Sequence, residues 1–73
     1  MQREPVSSSS IASVGYDEAT ATLEIEFHNG RIYQFRGVPP QMAVALRAAP
    51  STGAYFNKYV RNGGYEFTLV RDA

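Results

Sequence analysis

The chain has 73 residues, with seven Lys and Arg balanced by seven Asp and Glu, one His and no Cys. That length holds one domain, and the lack of Cys excludes disulfides and thiolate metal sites. No apolar run approaches the roughly 18–20 residues that cross a membrane as a helix, and the first residues lack the apolar stretch of a signal peptide, so the expectation is a cytoplasmic protein that does not engage a membrane.

Residues 1–9, with Ser7, Ser8 and Ser9 before Ser10, carry no periodicity and read as a flexible arm; residues 10–71 read as the domain. Ile11 to Tyr16 reads as a strand, with Val14 and Tyr16 on one face, and Asp17-Glu18-Ala19-Thr20 supplies turn chemistry. From Thr22 to Phe27 the pattern alternates strictly, Leu23, Ile25 and Phe27 against Thr22, Glu24 and Glu26. Alternation of period two marks a half-buried strand.

The turn at His28-Asn29-Gly30 sets the register of the next strand. A two-residue loop pairs Phe27 with Ile32 and turns Tyr33 and Phe35 outward with the glutamates. A three-residue loop, with Gly30 in the left-handed bulge position, pairs Phe27 with Arg31, Ile25 with Tyr33 and Leu23 with Phe35. A one-residue slip flips every side chain, so burial selects the second register. Ile32 then faces outward with Gln34 and Arg36.

Gly37-Val38-Pro39-Pro40 stops the strand, and Pro40 suits a helical first turn. Gln41 to Ala49 has Met42, Leu46 and Ala49 at helical spacing, and Pro50 ends it. Ser51 is a good N-cap for a second helix running to Arg61, with Phe56, Tyr59 and Val60 as its apolar stripe. Asn62-Gly63-Gly64 closes that helix, and Tyr65 to Val70 alternates again. The expected fold is α+β: an antiparallel sheet of about four strands, order βββααβ, with two short helices on one face. Such a domain buries only about 60% of its unfolded surface, so its five Tyr and four Phe must fill much of the core, at about 150–250 Å² each.

Charge is unevenly spread. Residues 1–30 carry Arg3 against Glu4, Asp17, Glu18, Glu24 and Glu26, whereas residues 31–73 carry Arg31, Arg36, Arg47, Lys58, Arg61 and Arg71 against Glu66 and Asp72. A basic half can steer an anionic partner, although facing acidic and basic strands explain the same pattern. His28 stands alone in a turn and completes neither a metal site nor a nucleophile relay. Glu24 and Glu26 share a strand face, which is common as the polar side of an antiparallel sheet. Ser51-Thr52-Gly53 opens a helix, where free N–H groups can hold an anion and where N-capping explains the same residues. Aromatic rings beside cations form the remaining candidate: Arg31, Tyr33 and Arg36 in the hairpin, and Tyr55, Lys58 and Arg61 in the second helix, for base stacking and phosphate contact. Core packing accounts for many of the same rings.

Four segments together resemble the KTSC domain family: Ser10-Ile11 with Gly15-Tyr16-Asp17; Leu23 to Phe27 with Asn29-Gly30; Tyr33-Gln34-Phe35 with Gly37-Val38-Pro39; and Ser51 to Asn57. The family's central motif is usually Tyr-x-Tyr, and here Phe35 takes the second position without its hydroxyl. The resemblance implies a domain found at the C-terminus of some lysyl-tRNA synthetases and as short bacterial proteins, with RNA binding suggested by that association and no catalytic residues assigned. The expectation is a small non-catalytic binding module needing no cofactor or metal. RNA or another single-stranded nucleic acid is one expected partner. A protein, or a second copy pairing through a sheet edge, is the other.

Overall fold

The computed structural model describes residues 2–72. Its elements are β1 (Arg3–Pro5), β2 (Ile11–Asp17), β3 (Thr22–Phe27), β4 (Ile32–Phe35), α1 (Pro40–Ala48), α2 (Thr52–Tyr55), a π-helical segment (Phe56–Arg61) that continues α2, and β5 (Phe67–Arg71). The strands form one five-stranded sheet in the order β1-β2-β3-β4-β5, with every neighbouring pair antiparallel. The α+β class is as expected, with one more strand.

The extra strand lies in the segment read as a flexible arm. Arg3 pairs with Gly15 and Pro5 with Ser13. The reason is electrostatic and does not show as periodicity: the Arg3 guanidinium bonds Glu24, and its Nε donates to Ser13 Oγ at 3.1 Å. Val6 packs against the core, and its N–H donates to the Ala12 carbonyl at 3.2 Å.

The β3–β4 hairpin takes the three-residue loop. Phe27 N–H donates to the Arg31 carbonyl and Gly30 N–H to the Phe27 carbonyl, each at 2.9 Å. Gly30 has φ 89°, a conformation that costs a side-chain-bearing residue about 1–2 kcal/mol. Asn29 Oδ1 accepts from Arg31 N–H at 3.0 Å. Ile25 therefore opposes Tyr33, and Leu23 opposes Phe35, placing the large apolar side chains on one face.

That face receives both helices. Ile11, Val14, Leu23 and Ile25 of the sheet, with Val38, Leu46 and Val60, lose essentially all their accessible surface, each burial stabilising by about 1.5–3 kcal/mol. Tyr59 leaves the expected stripe and is 42% exposed, while Phe56 and Val60 are buried. An i→i+5 turn aligns residues four or five apart, whereas a stripe that adds Tyr59 assumes the tighter α-helical turn.

The opposite face is polar and ordered by ion pairs. Glu24 is buried, with Gln34 Nε2 donating to it at 2.8 Å and Arg3 bonding its other oxygen. Glu26 accepts from Ser13 Oγ at 2.8 Å and from Arg71 at 3.1 Å. Ile32 lies on this face as expected but is only 5% exposed, so it does not stand open to solvent. Its cross-strand neighbours are Glu26 and Arg71, and the ion pair between those two spans β4 over it.

Both carboxyls titrate below the ordinary Glu range. Burial pushes Glu24 up, but the Gln34 hydrogen bond and Arg3 outweigh it; for Glu26 the Ser13 hydrogen bond leads, with Arg3 and Arg71 adding to it against a partial desolvation. A carboxyl lowered by folding stabilises the protein above its unfolded pKa, about 4.3, and that contribution is lost as pH falls through the folded value. The urea midpoint is therefore expected to fall steadily below about pH 4.5, and less steeply in Glu24→Gln. Equal slopes in the two proteins would show that Glu24 carries none of the acid sensitivity.

Candidate functional site: an aromatic pocket rimmed by arginines

Two short helices do not cover five strands. The helices pack over Ile11, Val14, Leu23, Ile25 and Phe35, which lie on β2, β3 and β4, and leave one edge of the sheet bare. That edge is β5, all of whose residues are exposed. Phe67 is 60% and Leu69 41% exposed. Between the π-helical segment and β5 the apolar face stays open as a cavity of about 510 Å³.

Five rings form its wall in a closed circuit. Phe27 meets Tyr33 at 5.8 Å and Phe56 at 5.5 Å between centroids; Phe35 meets Phe56 at 5.4 Å and Phe67 at 5.8 Å; Tyr33 meets Phe67 at 6.0 Å. Three of these contacts run at 71–85° between planes, the edge-to-face geometry that fixes ring orientation. The rim is polar: Asn29 and Arg31 from the hairpin turn, Arg61 and Asn62 from the end of the π-helical segment. Arg61 makes no ion pair among the described residues, and Arg31 holds only the exposed Asp72, at 3.0 Å.

Of the residues singled out in the sequence, Arg31, Tyr33 and Arg61 meet at this pocket. Arg36 does not. It lies on the other face, its guanidinium donating to Thr68 Oγ1 at 2.8 Å and facing Glu66 at 3.9 Å. Tyr55 and Lys58 gather around Tyr59 instead, with the two Tyr rings 4.5 Å apart and the Lys58 Nζ 5.3 Å from the Tyr59 centroid. At the start of α2, Ser51 Oγ accepts from Ala54 N–H at 3.3 Å and Thr52 is buried. A Cβ on Gly53 would stand 2.8 Å from Ser10 Oγ. Those three residues cap and pack, and α2 is a single turn.

Phe35 of the aromatic motif also lines it, and Phe27, Phe56, Phe67, Asn29 and Asn62, which were not singled out, complete the site. Phe27, Phe56 and Phe67 read as core, and only the unfilled space beyond β4 makes them a wall. His28 sits outside the pocket, its Nε2 2.8 Å from the Ser8 carbonyl oxygen. Among the described residues, no carboxylate, hydroxyl-bearing Ser or Thr, or imidazole lines the pocket. Its chemistry is stacking, hydrogen bonding and cation contact.

The sequence matches the KTSC domain over residues 7–65. The chain belongs to the KTSC domain family. An uncharacterised protein of Stutzerimonas stutzeri is 39% identical over 70 residues, covering 96% of this KTSC chain and 99% of its own length. A lysine–tRNA ligase of Nostoc punctiforme is 41% identical over 57 residues, 78% of this chain but 10% of the ligase. Among solved structures, a KTSC domain protein from Yersinia pestis superimposes with a TM-score of 0.86 at 39% identity, covering 96% of this chain and 97% of that one.

Proposed function

We propose that this KTSC protein is a non-catalytic module that binds single-stranded RNA in the cytoplasm, taking an unpaired base into the five-ring pocket while Arg31 and Arg61 contact phosphate. The observation that carries this reading is an open, wholly aromatic wall with a cationic rim. An exposed ring such as Phe67 forgoes part of the 1.5–3 kcal/mol or so that full burial supplies, and contiguous exposed apolar surface of this kind marks an interaction site. Aromatic faces stack on any base, and arginines contact backbone phosphate. A KTSC-like segment within lysine–tRNA ligases supports an RNA partner. The test is titration of a fluorescently labelled single-stranded RNA at two salt concentrations. Two phosphate contacts give a log–log salt slope of about −1.4; no binding at low salt, or binding without salt dependence, overturns the proposal.

A second reading rests on the β5 edge. The opposite edge, β1, is three residues long and contains Pro5, a short strand blunted against pairing. β5 has no such protection and exposes Phe67, Leu69 and Val70. A two-fold axis through Thr68 would set Phe67 of one copy against Leu69 of the other on the same face, since opposed residues in antiparallel strands share a side. Sedimentation velocity across a wide concentration range checks this, and a strict monomer at the highest concentration removes it.

A further inference from the structure

We infer that the site takes one nucleotide and not a tract of RNA, an inference that rests on the binding function proposed above. The aromatic surface is confined to a single cavity, and its surroundings do not extend the site. Across the sheet, the open face centres on Glu24 and Glu26, whose carboxylates repel phosphate. The arginines there are already engaged, Arg3 with Glu24, Arg71 with Glu26, and Arg36 with Glu66 and Thr68. Beyond the pocket on the helical side, the Tyr59 ring has Tyr55 at 4.5 Å and Lys58 over it at 5.3 Å, so a second stacked base would have to displace Lys58. One base fits the cavity of about 510 Å³ with room for its sugar.

The rim amides can read that base without choosing among the four. Asn29 Oδ1 accepts from a backbone N–H, which leaves its Nδ2 to donate. Asn62 Nδ2 donates to the Asn57 carbonyl at 2.8 Å, which leaves its Oδ1 to accept. Each of the four bases presents an acceptor beside a donor on its pairing edge, so all can satisfy this donor–acceptor pair. The ligand class is thus a nucleoside monophosphate unit, at a chain end or unstacked from a loop.

The experiment is calorimetric titration of the full chain with uridine 5′-monophosphate, 5′-phosphorylated diuridylate and 5′-phosphorylated decauridylate, with affinities divided by the number of equivalent binding frames. Per-frame affinities of diuridylate and decauridylate within about threefold of one another, with the mononucleotide, which has one phosphate in place of two, no more than about tenfold weaker, and each falling about tenfold or more in Asn29→Ala/Asn62→Ala, are expected. A per-frame affinity that rises more than about tenfold from mononucleotide to decamer overturns the one-nucleotide site while leaving RNA binding intact. Unchanged mononucleotide affinity in the double variant overturns the role of the amides. Binding of none of the three ligands overturns this inference together with the RNA-binding proposal.

Discussion

Replacing Phe56 with alanine is expected to lower the unfolding free energy by about 3–5 kcal/mol. Phe56 is 4% exposed and meets both Phe27 and Phe35 edge-on. Its loss removes buried area and leaves a void that the two remaining rings cannot close, because Phe27 and Phe35 are held on neighbouring strands by the β3–β4 register. A 73-residue domain has only about 4–11 kcal/mol in total, so the variant should lie close to unfolding at room temperature. Urea denaturation followed by circular dichroism measures this. Phe56→Leu should cost markedly less, since it keeps most of the volume. Equal, small losses in both variants would mean that the ring circuit is not part of the core's support.

Reversing both rim charges, Arg31→Glu with Arg61→Glu, is expected to reduce affinity for single-stranded RNA by about a hundredfold or more at low salt. It should also make the log–log salt slope shallower by about 1.4. The fold should survive. The Arg31–Asp72 pair lies on the surface, 50% and 64% exposed, and such pairs contribute about 0–1 kcal/mol. Arg36→Glu is the control. It also removes a hairpin arginine, but from the opposite face, where Arg36 is engaged with Glu66 and Thr68. A loss in Arg36→Glu as large as in the double variant would assign the effect to overall charge and not to the pocket rim.

The hairpin was legible because burial left it one solution. Strict alternation in Leu23–Phe27, with Asn29-Gly30 after it, admits two registers, and only one puts Tyr33 and Phe35 beside Ile25 and Leu23. The same reasoning placed Arg36 on the far face and set core packing against ligand contact for the aromatic motif. The structure shows both in the same rings: Phe35 is 6% exposed and also lines the pocket. A period-two pattern reports which side of a sheet a ring lies on. It does not report how much of that side the helices cover. Tyr55, Lys58 and Arg61 were grouped by closeness in sequence, but only Arg61, at the end of the π-helical segment, lines the cavity.

The sequence by itself determined the α+β class, the three-residue turn with Gly30 at positive φ, the capping role available to Ser51 and membership of the KTSC domain family, because each follows from local pattern or from residues in fixed order. Tertiary structure alone decided the rest. Arg3 reaches Glu24 across β2 and draws β1 into the sheet. The Glu26–Arg71 ion pair buries Ile32. The two short helices pack over β2, β3 and β4 and leave β5 bare, which turns part of the core into an open pocket between Arg31 and Arg61.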